Sequence, residues 1–160
     1  MTFVRLAGCS VGCVGCDTDY RVSRRLGLAE LVDAVLCLPA RRYVWLTGGE
    51  PTDHDIAPLV GALRAEGRLV AVATSGVRPC PDVDFVSVSP HRLDASWVVR
   101  RGDQCNLVPG LNGLTLDAIE AADRAGAFAG FGCRWVTPCM STTVTLPRPI
   151  RAAENREVVT

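Results

Sequence analysis

The sequence predicts an α/β fold of about six strands paired in parallel, either an open six-stranded barrel or a small doubly wound sheet. Three observations carry this. Short apolar runs recur along the chain, separated by helical patterns or long connections, which is the order that gives parallel pairing. The run "RLVAVAT" at 68–74 is apolar without alternation, as in a strand buried on both faces. The length of 160 residues suffices for one core but not for a complete eight-fold barrel, which needs about 200 residues or more.

The elements follow in order. "TFVRL" at 2–6 reads as a strand that runs into a cysteine-rich loop. Leu28, Leu31, Val32, Val35 and Leu38 fall at helical spacing, so 28–38 is an amphipathic helix. "RYVWL" at 42–46 is β-branched and aromatic, and the glycines of "TGGEPT" stop it. Asp53 is placed to cap a helix carrying Ile56, Leu59, Val60 and Leu63, which Gly67 ends. Strands follow at 68–74, at 84–89 where Pro90 halts "DFVSVS", and at 104–108 in "QCNLV". Thr115 caps a helix over 116–125, and "FGCRWVTP" at 131–138 reads as a sixth strand. The tail from 141 to 160 carries less pattern and reads as loop or a short helix.

Composition narrows the chemistry. The 17 basic and 17 acidic residues cancel, so charge points to neither nucleic acid nor a membrane surface. Every basic residue is Arg, which excludes a Lys nucleophile or Schiff base. There is no run of 18 apolar residues, and "MTFVRLAGCS" has none of the regions of a signal peptide, so the expected location is the cytosol. In that reducing compartment clustered cysteines bind metal or do redox chemistry. The scattered Cys37, Cys80, Cys105, Cys133 and Cys139 read as small hydrophobes or inert thiols.

In open α/β sheets and barrels alike, ligands bind at the carboxyl ends of the strands. The unusual sequences fall there: the cysteine loop, "TGGEPT", "TSG", "SPH" and "TPC" follow the first, second, third, fourth and sixth strands. Cys9, Cys13 and Cys16 form C-x3-C-x2-C on the first loop. Structural zinc takes four closed ligands and iron-sulfur clusters commonly take four cysteines. Three readings are open on spacing: a cluster with an exposed iron, a zinc site with a fourth ligand from elsewhere such as Cys105, or unliganded thiols.

The C-x3-C-x2-C spacing, followed about thirty residues later by "TGGEP", resembles the radical S-adenosylmethionine superfamily. The longer strings "FVRLAGCSVGCVGCDT" at 3–18, "WLTGGEPT" at 45–52, "TSG" at 74–76 and "VSVSPH" at 86–91 are similar to the 7-carboxy-7-deazaguanine synthases, a similarity that extends through "QCNLVPG" and "RWVTPC" to about residue 140. The resemblance implies one radical-SAM domain over 1–160, a partial six-stranded parallel barrel of the radical-SAM type. It implies ring contraction of 6-carboxy-5,6,7,8-tetrahydropterin to 7-carboxy-7-deazaguanine with loss of ammonia, on the route to queuosine and related deazapurines. The cofactors implied are a 4Fe-4S cluster, S-adenosylmethionine and Mg2+. The expected partners are the pterin substrate, an electron donor such as flavodoxin, and a second copy in a homodimer.

Carried over by position, the resemblance gives the cluster to Cys9, Cys13 and Cys16, and makes S-adenosylmethionine itself the ligand of the fourth iron. Thr18 would offer a hydroxyl to Mg2+, and its simpler reading is a loop or capping hydroxyl. Gly15, Cys16, Asp17, Gly48, Gly49, Ser89, Pro90 and His91 would hold S-adenosylmethionine, the glycines by letting backbone approach it. Where His91 stands the family usually has Lys, and an exposed loop His is the competing reading. Arg5, facing the barrel interior, and Thr47 would meet the carboxylated substrate, a task suited to a guanidinium fork. "TPC" at 137–139 occupies a place where the family often reads Gln-Pro. Only Met1 and Thr2 precede "FVRL", where the family carries a Gln-Gly-Glu segment, and a final strand is also expected beyond the end, so both ends read as shortened. Two alternatives from other classes are an activating enzyme that makes a glycyl radical on a protein partner, and a non-catalytic cluster or zinc protein or inactive truncated relative.

Overall fold

The computed structural model describes residues 1–14, 16, 18–39 and 41–137. Six strands, β1 (Thr2–Leu6), β2 (Tyr43–Gly48), β3 (Leu69–Thr74), β4 (Phe85–Val88), β5 (Gly102–Leu107) and β6 (Phe131–Val136), lie in one sheet in their sequence order. Every neighbouring pair is parallel. Helix α1 (Leu28–Leu36) connects β1 to β2, α2 (Ala57–Ala65) connects β2 to β3, and α3 (Leu116–Arg124) connects β5 to β6. The β3–β4 and β4–β5 connections contain no helix. Among the described residues β1 and β6 are the two edges, and the sheet is open.

Local chemistry sets the helix ends. The Glu30 carboxylate reaches back to accept the Gly27 N–H at 2.7 Å, which satisfies one donor at the start of α1. α1 stops at Leu36, short of the predicted Leu38, because Pro39 biases the residues before it away from helix. Thr115 caps α3 as predicted, its hydroxyl accepting the Ala118 N–H at 3.1 Å. Asp53 does not cap α2. It ends a short 3-10 turn, Pro51–Asp53, and α2 starts at Ala57, with Pro58 in its first turn and Asp55 accepting the Ala57 N–H at 3.3 Å. Proline is tolerated only in that first turn, and so it fixes the start.

The sheet presents two faces. Val4, Val44, Leu46, Val70 and Val72 point to one, under Val35, Leu59, Val60 and Leu63 of α1 and α2. Leu46, Leu63, Val70 and Val72 are completely buried there, and truncating one of them to Ala costs about 2–5 kcal/mol. A second core of Val88, Trp97, Cys105, Leu107, Ile119, Phe128 and Phe131 lies under α3 and the β4–β5 connection.

The opposite face is the one that the helices leave open. Phe3, Trp45, Ala71 and Phe85 form one row of the register, and Arg5 pairs with Thr47 one row nearer the carboxyl ends. Ala71 is small enough for the rings of Trp45 and Phe85 to meet over it, 5.5 Å between centroids, while Phe3 lies 6.5 Å from Trp45. The floor of this face is thus aromatic, and its upper row is polar.

Candidate active site at the carboxyl ends of the strands

The loops that leave the first three strands at the carboxyl edge are tied together, and Glu50 is the hub. Its side chain is 2% exposed and accepts five hydrogen bonds. Oε1 takes them from the Thr52 N–H at 3.1 Å, the Thr52 hydroxyl at 2.7 Å and the Thr74 hydroxyl at 2.6 Å. Oε2 takes them from the Ser75 N–H at 2.7 Å and the Ser75 hydroxyl at 2.5 Å. The Glu50 N–H in turn donates to the Gly8 carbonyl at 3.0 Å, directly before Cys9. One buried carboxylate therefore joins the loops after β2 and β3, and its own backbone joins them to the cysteine loop.

The two glycines before Glu50 make this approach possible. A Cβ on Gly49 would stand 1.7 Å from the Gly8 carbonyl oxygen, and one on Gly48 would stand 2.2 Å from the Leu6 carbonyl oxygen. Gly48 also has φ +119°, a region that L side chains rarely enter. The expected approach to S-adenosylmethionine is thus preceded by an observed one, of β2's end to the backbone of the cysteine loop. Further ties come from the His54 ring Nε2, 2.7 Å from the Ala7 carbonyl, and from Asp53, whose carboxylate accepts the Ser10 N–H, the Ser10 hydroxyl and Arg78 Nε. Burial pushes the Asp53 carboxyl upward, but the Ser10 and Arg78 contacts outweigh it and hold the group below the usual carboxylate range.

Of the three predicted cluster ligands, Cys9 and Cys13 are half-buried and Cys16 is exposed. Burial pushes the Cys13 thiol up, Cys16 and Cys9 push in the same direction, and a hydrogen bond from Asn112 opposes them. The three thiols are thus near enough to act on one another. Among the described residues, however, no three His, Cys, Asp or Glu side chains gather closely enough for one metal ion. A single zinc needs its thiolates about 2.3 Å from one centre, whereas a polynuclear cluster spreads its cysteines over separate irons. Cysteine thiols are the donor type that an iron–sulfur cluster takes. Cys105 is fully buried in the second core, which pushes its thiol up to about 12. Cys80, also partly buried, is pushed up to about 11. Cys37 and Cys133 are exposed, so of the two expected roles they do not fill that of small buried hydrophobes.

Thr18 is half-buried, and its carbonyl accepts a long contact from Cys16 Sγ at 3.9 Å. Arg5 is exposed on the open face, with Thr47 half-buried beside it. The Ser89 N–H donates to the Thr74 carbonyl at 2.8 Å, which docks the start of the loop after β4 on the end of β3. Pro90 is buried and His91 is half-buried, not an exposed loop side chain. Burial holds His91 below its ordinary value, with Glu50 acting weakly the other way. His91 lines a cavity of about 310 Å3 together with Ser10, Ser75, Arg78, Arg92 and Trp97. Gly15, Asp17, the 138–139 part of "TPC" and the 141–160 tail lie outside the described residues. Thr137 is described, and its hydroxyl donates to the Asn106 side-chain oxygen at 2.8 Å.

Sequence reasoning passed over Glu50, Ser10, Asp53, Arg78 and Asn112. An acidic residue wedged between an apolar strand and Pro51 was the available signal for Glu50. Nothing local could pair Asn112 with Cys13.

An open parallel sheet in sequential order, with a three-cysteine loop leaving its first strand, is the fold of the radical S-adenosylmethionine enzymes. The chain is a partial-length relative of proteins named 7-carboxy-7-deazaguanine synthase. It is 38% identical over 96 residues to the one from Neisseria meningitidis serogroup B, covering 59% of this chain and 45% of that protein. It is 36% identical over 128 residues to that of Bordetella pertussis, covering 66% and 60%, and 42% identical over 105 residues to that of Pyrobaculum aerophilum, covering 58% and 47%. The chain spans about half the length of the curated relatives it matches. The crystal structure of QueE from Escherichia coli superposes with a TM-score of 0.65 at 25% identity, over 87% of this chain and 75% of that one. No protein-family model matches.

Proposed function

We propose that the chain carries a radical-SAM carbon–nitrogen lyase activity, contracting 6-carboxy-5,6,7,8-tetrahydropterin to 7-carboxy-7-deazaguanine with loss of ammonia in deazapurine biosynthesis. The observation that carries this reading is the placement of the cysteine loop. The "GGE" backbone holds it at the carboxyl end of the β1–β2 pair, whose open face presents Arg5 beside Thr47. The names borne by its relatives support the same activity.

In this reading Cys9, Cys13 and Cys16 would hold a 4Fe-4S cluster, which with S-adenosylmethionine would supply the one-electron chemistry that starts hydrogen abstraction from the substrate. The chain's own residues do the rest. Gly48 and Gly49 let backbone groups approach the amino end of the cosubstrate, and Gly15, Asp17, Ser89, Pro90 and His91 hold its adenosyl part. His91, held toward its neutral form by burial, offers a hydrogen bond where the family's Lys offers a charge. Arg5 receives a substrate carboxylate through its planar fork, with Thr47 beside it. Thr18 gives its hydroxyl to Mg2+, a hard ion that keeps most of its waters and takes few protein ligands. The aromatic floor of Trp45, Phe3 and Phe85 closes the open face beneath the substrate.

The balanced formal charge fits a small-molecule substrate rather than nucleic acid. No helix among the described residues is long and apolar enough to cross a membrane. A cytoplasmic homodimer reduced by a flavodoxin, formed from one domain over 1–160, completes the proposal.

The test is anaerobic reconstitution with iron and sulfide, then incubation with S-adenosylmethionine, reductant and Mg2+, with and without the pterin. The expected result is 5'-deoxyadenosine release that rises with pterin, together with deazaguanine product. Deoxyadenosine release indifferent to pterin, with no deazaguanine, overturns the substrate and leaves the cluster. A protein that takes up no iron-sulfur cluster overturns both.

A further inference from the structure

The loop after β5 crosses to the cysteine loop at one residue. Asn112, 99 positions from Cys13, donates from its side-chain Nδ2 to Cys13 Sγ at 3.1 Å. Its Oδ1 accepts the Val14 N–H at 3.3 Å. The two contacts fix each other's sense. The Val14 N–H can only donate, so it requires the oxygen of the amide, and the NH2 group is left facing the sulfur.

The backbone is bent to make this contact. Asn112 has φ +50° and ψ +29°, the left-handed conformation, and is the one non-glycine with positive φ among the described residues. Gly110 at φ +92° and Gly113 at φ +77° turn the chain on either side. Asparagine is the side chain that best tolerates this conformation while still offering a donor. A glycine would take the same turn with less strain but would leave Cys13 without its donor.

We infer that Asn112 is a positioning residue for the iron-sulfur centre, and that its amide donates to the Cys13 thiolate and raises the reduction potential of the bound cluster. The inference rests on the cluster reading above. One-electron reduction adds negative charge that spreads onto the cysteine sulfurs. A donor on a sulfur is then more strongly bound in the reduced state than in the oxidised one, and reduction becomes easier. The electron comes from the flavodoxin-class reductant, and no bond is made or broken at Asn112.

The full chain is reconstituted anaerobically as parent, Asn112→Gly and Asn112→Asp. Glycine removes the amide without opposing the left-handed backbone, and aspartate keeps the shape but replaces the donor with an acceptor. Iron and sulfide content are measured, and the reduced cluster is followed by electron paramagnetic resonance during a redox titration. The signal arises only from loaded protein, so incomplete loading does not obscure the potential. At a fixed poise the ratio of reduced to oxidised cluster is expected to fall about three- to tenfold in Asn112→Gly, tenfold being 59 mV for one electron, and further in Asn112→Asp. Equal potentials in the parent and both variants overturn the inference and leave the cluster reading intact. A parent that binds no cluster overturns that reading instead.

Discussion

Ser10 gives the Asp53 carboxylate two hydrogen bonds, one from its backbone N–H at 2.6 Å and one from its hydroxyl at 2.7 Å. Arg78 Nε closes on the same carboxylate at 2.6 Å. The residue after Cys9 is thereby clamped to the turn after β2 and to the segment after β3. Asp53→Ala is expected to lower stability by about 1–2 kcal/mol, read by urea unfolding, and to lower iron uptake because the first cluster cysteine loses its anchor.

The same clamp has a pH signature. Asp53 titrates below its ordinary value in the folded protein, so its stabilising effect is complete above the unfolded carboxylate value of about 3.9 and is lost as pH falls through the lower folded value. Asp53→Asn removes that dependence. The stability difference between parent and Asp53→Asn, measured by urea midpoint from pH 7 to 3, is expected to hold steady to about pH 5 and then shrink. A difference that stays constant through pH 3 contradicts the role assigned to Asp53.

Glu50→Gln tests the hub. Backbone N–H groups point at both carboxyl oxygens, from Thr52 at one and Ser75 at the other. Whichever way the amide is turned, its NH2 faces a donor. A loss of about 2–3 kcal/mol is expected in chemical denaturation, together with loosened loops after β2 and β3.

Glycine substitutions separate close approach from mere turn formation. Gly49→Ala puts a methyl group 1.7 Å from one backbone atom of Gly8 and 2.6 Å from another, and neither can yield cheaply. A cost of about 3 kcal/mol or more and a loss of cluster binding are expected. Gly61→Ala, inside α2 with nothing within 4 Å, is expected to raise stability by about 0.5–1 kcal/mol. Thermal melts of the two variants should therefore move in opposite directions.

Arg5 is exposed on the open face, so Arg5→Ala should leave unfolding within about 0.5 kcal/mol of the parent. Its expected effect is a raised KM for the carboxylated pterin, with Arg5→Lys recovering only part because an ammonium does not reproduce the fork. An unchanged KM removes Arg5 from the substrate site.

The fold was legible because its signals are local. Unbroken apolar runs such as Val70–Val72 and helical spacing such as that of Val32 and Val35 follow directly from which side chains the sheet and helices bury. The cysteine loop and "TGGEP" stood out by their spacing, which left three readings of the thiols open until the resemblance narrowed them. What escaped was long-range polar pairing. Asp53 looked like a helix cap because Asp before a helical pattern is one, and only the fold shows that Ser10 and Arg78 have claimed its oxygens. Asn112 between two glycines announced a turn, but its partner lies 99 residues away. His91 gave no sign of its burial, which arises in a cavity lined also by residues 10–11, 75, 77–78 and 96–97.

The sequential strand order has a consequence for assembly during synthesis. Buried residues of the first core all lie between positions 4 and 72, and those of the second between 88 and 131. Synthesis therefore supplies every buried residue of the first core before the loop bearing Asn112. The contacts that seat the cysteine loop on Gly49 and Glu50 thus belong to the earlier-made part of the chain, whereas the Asn112 contact to Cys13 waits for the later part.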